Sequence, residues 1–287
     1  MSPANLPVNL RSLSDAKARQ TASLLAKTYL NGNLLDGLPG DLCPESLADG
    51  YAVQDYLSGE LGFATAGWKL GLTDAKAQAA KGVSEPVKGR LFKSRIAMAP
   101  ARLRAPPGKL MLEAEFVFRI ANDLGGADTC RLSVDDVADA VASVHIGLEL
   151  CASRFLPSKP LSLAMNVADN CFHGGLVIGR VIDGWKPIDL PAMSVELFCN
   201  DTMLASGSGS AVLGNPVNAV LWLAQELARD GRRLDAGDWV TTGSCTGASE
   251  ISAGVEARAV FGRVGEVRLC LDRVTPWPSD VRGGNDV

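Results

Sequence analysis

Two glutamates one residue apart, Glu113 and Glu115, lie in the run Leu110-Met111-Leu112-Glu113-Ala114-Glu115-Phe116-Val117-Phe118, which otherwise reads as a buried strand. Strand side chains alternate between faces, so both carboxylates point the same way, with Cα atoms roughly 7 Å apart. Like charges in apolar surroundings repel each other and lose solvation. A hard divalent cation cancels both penalties and brings Lewis-acid chemistry. The structural alternative is an antiparallel strand whose solvated face carries Met111, Glu113, Glu115, Val117 and Arg119.

A third carboxylate, Glu149, stands in His145-Ile146-Gly147-Leu148-Glu149-Leu150-Cys151, again where a strand would place a hydrophobe. Alone it would pair with a nearby cation such as Arg154. Together with Glu113 and Glu115 it offers three oxygens, which leaves about three positions of an octahedral Mg2+ or Mn2+ for substrate and water. Lys69, in Gly67-Trp68-Lys69-Leu70-Gly71, either snorkels from an edge or points inward, where it could move a proton or stabilise an enolate. Asp74 reads as a helix cap. His145 and His173 read as hydrogen-bonded core or loop residues. Ser206-Gly207-Ser208-Gly209-Ser210 lacks the lysine of a phosphate-binding loop.

These residues need a scaffold that is mostly strand. Residues 12–60 read as helical. Ser14 would cap a first helix with apolar Ala18, Ala22, Leu25 and Tyr29, and Pro44 would open a second that runs to Leu61. Beyond Gly67, short apolar runs alternate with glycine and proline. They predict strands at 66–72, 110–120, 145–151, 173–179, 193–200, 238–243, 255–262 and 265–272. Two helices are expected among them, one opened by Ser133-Val134-Asp135-Asp136 and one by Asn215-Pro216. This pattern predicts an α+β fold: a helical region over residues 1–62, then a mixed-β region over 63–287 with a rolled or barrel-like core. Residues 279–287 read as a loose end.

The 287-residue chain is 47% hydrophobic and 21% charged, an ordinary globular composition. A net charge of -4 and no basic cluster argue against nucleic acid as a partner. No cationic-then-apolar leader and no apolar run of about 18 residues is present, so neither secretion nor a membrane span is expected. The seven cysteines (43, 130, 151, 171, 199, 245 and 270) never fall at C-x-x-C spacing, and they read as reduced thiols of a cytoplasmic protein. Cys245, in a polar glycine-bearing loop, is the one with a reactive setting, although few histidines exist to activate it.

One ordered set of segments resembles a known family. It comprises Gly67-Trp68-Lys69-Leu70-Gly71-Leu72-Thr73, Glu113-Ala114-Glu115, Leu148-Glu149-Leu150 with Ser153-Arg154, Ala168-Asp169-Asn170, Gly214-Asn215-Pro216-Val217-Asn218-Ala219, and Ala236-Gly237-Asp238 leading to Thr242-Gly243-Ser244. Together they resemble the 2-oxopent-4-enoate hydratase / 4-oxalocrotonate decarboxylase family of the fumarylacetoacetate hydrolase superfamily. The resemblance spans residues 15–272.

The resemblance implies Mg2+ or Mn2+ on Glu113, Glu115 and Glu149, chelating the carboxylate and 2-oxo group of a small 2-oxo acid. It implies Lys69 as the catalytic lysine, and a substrate site drawn from Leu72, Lys88, Ser153, Asp169, Asn170, Phe172 and Thr246. It also implies a homo-oligomer. The expected activity is hydration of a 2-hydroxy-2,4-dienoate or 2-oxo-4-enoate from aromatic-compound catabolism. The alternatives are decarboxylation of a 2-oxo-3-enedioate and an inactive 2-oxo-acid-binding or assembly subunit. No match to the His-Glu pair of the hydrolase branch is found.

The resemblance breaks at two places. Pro86-Val87-Lys88-Gly89 stands where the family carries Pro-Asp-x-Gly, and Asp169-Asn170-Cys171-Phe172 where it carries Asp-Asn-Ala-Ser. Lys88 and Arg90 are the cations that a second substrate carboxylate would need.

Overall fold

In the computed structural model, which describes residues 12–126, 132–158 and 160–273, the Ser14 side chain accepts a hydrogen bond from the Lys17 N–H and opens α1 (Asp15–Asn31). The second helix, α2 (Leu47–Leu61), begins later than the sequence suggests. Ser46 and Asp49 cap it reciprocally, each side chain bonding the other's backbone N–H, so Pro44 stands outside it. One face of α1 buries Ala18, Ala22, Leu25 and Tyr29 against Val53, Leu57 and Leu61 of α2, with Phe92 and Phe155 beneath. Each fully buried leucine there contributes about 1.5–3 kcal/mol.

The chain then runs through β1 (Thr65–Gly71), α3 (Ala75–Lys81), β2 (Val87–Phe92), β3 (Ile96–Met98), β4 (Ala101–Arg104), β5 (Leu110–Ile120) and β6 (Leu124–Gly125). After α4 (Val134–Ala140) come β7 (Val141–Ala152), α5 (Leu163–Ala168), β8 (His173–Val181), β9 (Ser194–Cys199) and β10 (Thr202–Ser208). Last are α6 (Pro216–Arg229), β11 (Arg233–Leu234), β12 (Trp239–Ser244), β13 (Ser249–Ile251), β14 (Val255–Phe261) and β15 (Gly265–Asp272).

Every strand expected from the sequence is present to within four residues. The additional strands β2, β3, β4, β6, β10, β11 and β13 and the helices α3 and α5 are too short or too polar to leave a periodic signal. Asp74 does cap α3, accepting from the Lys76 and Ala77 N–H groups. The 279–287 segment and Cys130 lie outside the described residues.

The strands form a mixed sheet ordered β2-β1-β12-β5-β7-β8-β3, with β13 on the end of β5, and a second sheet ordered β10-β9-β14-β15-β4. Leu112, Ala114, Phe116 and Phe118 of β5 point between them and meet Leu197, Ala259, Phe261 and Leu269 from the second sheet. The opposite face of β5 carries Glu113, Glu115 and Val117. It is not a solvated face, because Glu115 and Val117 are fully buried. A two-sided burial of this kind makes any charge on the strand costly and therefore purposeful.

The Gly-Asn-Pro stretch turns out to build a helix start. Asn215 accepts from the Val217 N–H, Pro216 takes the first helical position, and Asn218 Nδ2 donates to Leu213 O. The helix α6 then buries Val220, Leu223 and Leu227 in the main core. Among the described residues, no helix is long and apolar enough to cross a membrane.

Candidate active site and metal centre

Antiparallel pairing of β5 with β7 sets Glu113 directly opposite Glu149 and Glu115 opposite Gly147. Glu113, Glu115 and Glu149 therefore share one face, and Cys151, two residues beyond Glu149, joins it. Potential ligand atoms of Glu113, Glu149 and Cys151 lie within 4.8 Å of one another. Glu115 stands one step further along β5, outside that group. Its Oε2 accepts the Gly243 N–H at 2.9 Å. Gly243 has φ 102°, and a Cβ there would fall 2.0 Å from Thr73 Oγ1, so only glycine presents this N–H to Glu115.

Lys69 does not snorkel. It is buried, with Nζ 3.0 Å from Glu149 Oε1. It also donates to Cys171 O at 3.1 Å and approaches Cys151 Sγ at 3.4 Å. β1 lies two strands from β5, and its alternation turns Lys69 onto the carboxylate face. Burial alone would strip the proton from Lys69; the surrounding Cys151, Glu149 and Glu113 hold it, well above the ordinary lysine range. For Glu149, burial works upward, but Lys69 and His173 outweigh it and leave the carboxyl below its usual range. Burial, with the charge of Glu149, pushes Glu113 up and Glu115 much further up.

The carboxylate partner of Arg154 is Asp169, so Arg154 is not the counter-ion of Glu149. Its Nε meets Asp169 Oδ1 at 2.6 Å, its own N–H donates to Asp169 Oδ2, and its other guanidinium nitrogens donate to the carbonyls of His173 and Asp169. Glu149 instead has Lys69 and His173, whose Nδ1 lies 3.4 Å from Oε1. Burial lowers the His173 pKa and favours the neutral imidazole, which can donate from Nδ1.

The residues fit a divalent cation on grounds internal to the site. Glu115 Oε1 and Glu149 Oε2 are buried with no hydrogen-bond partner. Three carboxylates crowd one face, while Lys69 is the cation in contact with Glu149. Unmatched carboxylate oxygens of this kind are the donors a hard metal takes.

A cleft of about 560 Å³ opens above this floor. Lys69, Glu113, Leu72, Ser153 and Phe172 line it, so the structure gathers these sequence-derived candidates in one place, with Cys151 beside them. The other candidates lie elsewhere. On β2, Val87 faces the cleft while Lys88 points away, pairing with Glu226 and Asp230 over the Tyr51 ring. Arg90 pairs with Asp55 and stacks on Trp68. Thr246 turns its hydroxyl onto Gly247 O, and Ala248 reaches the cleft in its place. Asp169 and Asn170 are buried behind the site and hold its wall in position.

That wall is a strained turn. Asn170, Cys171 and Phe172 have φ of 51°, 50° and 59°, three consecutive left-handed residues without a glycine. Asn170 anchors it, accepting the Arg90 N–H with Oδ1 and donating from Nδ2 to Arg90 O. The turn delivers Cys171 O to Lys69 and the Phe172 side chain to the cleft. A Cβ on Gly89 would meet Asn170 O at 2.9 Å and Lys69 Cγ at 3.1 Å, so glycine there lets the turn close. Cys151 and His173 were missed as site residues. The signal for Cys151 was its i+2 spacing from Glu149; nothing local marks His173.

Residues 70–274 match the family model described as fumarylacetoacetate (FAA) hydrolase C-terminal. A 2-keto-4-pentenoate hydratase 1 of Dechloromonas aromatica is 32% identical over 229 residues, 78% of this chain and 85% of that protein. A 4-oxalocrotonate decarboxylase of Pseudomonas putida is 27% identical over 90% of this chain and 97% of its own length. The solved structure of 4-oxalocrotonate decarboxylase from Pseudomonas putida G7, complexed with magnesium and adipate, superposes with a TM-score of 0.82 at 26% identity, covering 91% of this chain and 100% of that one. The chain belongs to the fumarylacetoacetate hydrolase family, among its 2-keto-4-pentenoate hydratase and 4-oxalocrotonate decarboxylase members.

Proposed function

We propose that the chain is a divalent-metal-dependent hydro-lyase that adds water to a 2-hydroxy-2,4-dienoate, or its 2-oxo-4-enoate tautomer, in aromatic-compound catabolism. The observation that carries this reading is the charged Lys69 ammonium, 3.0 Å from Glu149 at the floor of a largely apolar cleft beside two further carboxylates. Glu113, Glu115 and Glu149 would hold Mg2+ or Mn2+. When bound, the ion supplies positive charge against the substrate's 1-carboxylate and 2-oxygen.

Lys69 holds a proton at Nζ and is the group placed to deliver it to the carbon chain during ketonisation. Ketonisation removes the proton from the 2-hydroxyl and adds one at C5. Water then forms its C–O bond at C4 while a proton goes to C3. The walls from Leu72, Val87 and Phe172 keep the dienoate planar and exclude bulk water. Residues 63–287 would carry the chemistry and 1–62 would brace it: Gln54 Nε2 donates to the Lys88 and Val167 carbonyls beside the turn.

Decarboxylation of a 2-oxo-3-enedioate is the second reading, supported by the likeness to the decarboxylase structure. Against it, Lys88 and Arg90 are committed to acidic partners away from the cleft. The intact Lys69–Glu149 pair favours catalysis over an inactive subunit. The free buried thiols support a reducing cytoplasm. Exposed Met203 and Leu204 on the edge strand β10 support a homo-oligomer. Incubation with 2-hydroxypenta-2,4-dienoate and with 4-oxalocrotonate in Mg2+, following ultraviolet absorbance and CO2 release, separates the readings. Dienoate loss without CO2 is expected; no turnover of either would overturn the enzyme reading.

A further inference from the structure

We propose that the cleft above Lys69 and Glu113 contains a subsite for an apolar substituent at the far end of the substrate, so that the preferred acid carries an alkyl or aryl tail instead of a second carboxylate. The proposal rests on the 2-oxo-acid reading of the floor and adds to it a class of substrate.

Three observations carry it. The first is size: about 560 Å³ lies in the range of roughly 300–1,000 Å³ that houses drug-sized ligands, far more than a five-carbon acid fills. The second is the lining. Leu72, Val87, Phe155, Leu161, Leu163 and Phe172 come from five separate stretches of chain and face one space. A second carboxylate would need a buried cation there. Among the described residues, the lysines lining the cleft besides Lys69 are Lys81 and Lys109; both are exposed, and Lys109 pairs with Glu250. Lys69 itself is committed to Glu149.

The third observation is the strained turn. Left-handed backbone at three consecutive non-glycine residues is kept only where the surroundings over-determine it. Here the Asn170 bracket on Arg90 and the Asp169–Arg154 pair hold it, and its outcome is an aromatic side chain in the cleft wall. The ring offers the cleft apolar area and no hydrogen bond.

The test is calorimetric titration of the whole protein in Mg2+ with pyruvate, 2-oxohexanoate and 2-oxoadipate. The two six-carbon acids differ only in the terminal methyl or carboxylate. Each buried methylene is worth close to fourfold in affinity, so 2-oxohexanoate should bind at least tenfold tighter than pyruvate, and tighter than 2-oxoadipate. Phe172→Ser should shrink the 2-oxohexanoate-to-pyruvate ratio several-fold. Leu161→Ser, on a half-buried loop position, should do the same and serves if the turn variant fails to fold. Equal binding of 2-oxohexanoate and pyruvate, or stronger binding of 2-oxoadipate, would overturn the subsite while leaving the 2-oxo-acid reading intact. If none of the three binds, that underlying reading fails and the subsite with it.

Discussion

Glu113 and Glu149 face each other directly across the β5–β7 ladder, and Glu115 sits two residues along on the same face. Like charges directly opposed on a sheet destabilise it, and burial makes this worse. The arrangement therefore costs stability in the metal-free protein, and a cation held there would offset that cost.

Glu115→Gln isolates that trade. Glutamine keeps the size and the acceptor for the Gly243 N–H, and removes the carboxylate that a cation would take. In chelator, the variant should melt at or above the wild-type temperature. With Mn2+ at a hundred times its dissociation constant, the wild type should gain about 2.7 kcal/mol of stability and the variant much less. Thermal melts with and without Mn2+ measure both. An equal Mn2+ shift in the two proteins would remove Glu115 from the ligand set.

Lys69 competes with any cation for Glu149 Oε1, 3.0 Å away. Lys69→Met should therefore bind Mn2+ more tightly while turnover falls by about 10²–10⁴-fold, the usual worth of a positioned proton donor. Without metal, the variant leaves Glu149 buried with His173 but without its ammonium partner, a loss of about 3–5 kcal/mol. Electron paramagnetic resonance titration of Mn2+ reads the affinity separately from activity. Weaker Mn2+ binding in the variant would show that Lys69 supports the ions' ligands rather than competing with them.

The carboxylates were legible in the sequence because charge in an apolar strand run is a conflict that local propensity cannot resolve, and strand alternation fixes which charges share a face. The strands β5, β7 and β8 were legible for the same reason: they are long and apolar. Whether Lys69 pointed inward was not legible, since an edge lysine and a buried one leave the same pattern. Arg154 was assigned as a candidate partner for Glu149 because it is close in sequence, whereas the α5 turn, absent from any periodic signal, brings Asp169 to it. Lys88 and Val87 show the limit most clearly. Their one-residue offset on β2 decides which of them faces the cleft, and β2 itself was not anticipated.

Asn170 tolerates left-handed backbone better than most residues and also brackets Arg90 with both ends of its amide. Asn170→Ala removes both advantages. A loss of about 2–3 kcal/mol is expected from two part-buried hydrogen bonds and the backbone penalty. The cleft wall should loosen with it, raising KM more than it lowers kcat. Denaturant unfolding and steady-state kinetics read the two effects. A variant of unchanged stability would show that the turn is held without the bracket.

Asp49 ties the chain entering α1 to the start of α2. Its carboxylate accepts from the backbone N–H groups of Ser12, Leu13, Glu45 and Ser46 and from the hydroxyls of Ser12 and Ser46. Burial works to raise its pKa, but these hydrogen bonds, with Leu13 and Ser12 foremost, prevail and hold it down at about 2. In the unfolded chain an aspartate titrates near 3.9. A depressed native pKa means that the unfolded state binds the proton more readily, so the stabilisation is complete above about pH 4 and is lost as pH falls through about 2. Asp49→Asn should accordingly cost on the order of 2 kcal/mol at pH 7. The gap between wild type and variant should persist at pH 5 and narrow steadily between about pH 4 and 2. Urea unfolding midpoints across that range measure it. A gap that stays constant to pH 2.5 would mean that the Asp49 charge contributes nothing beyond what an asparagine amide supplies.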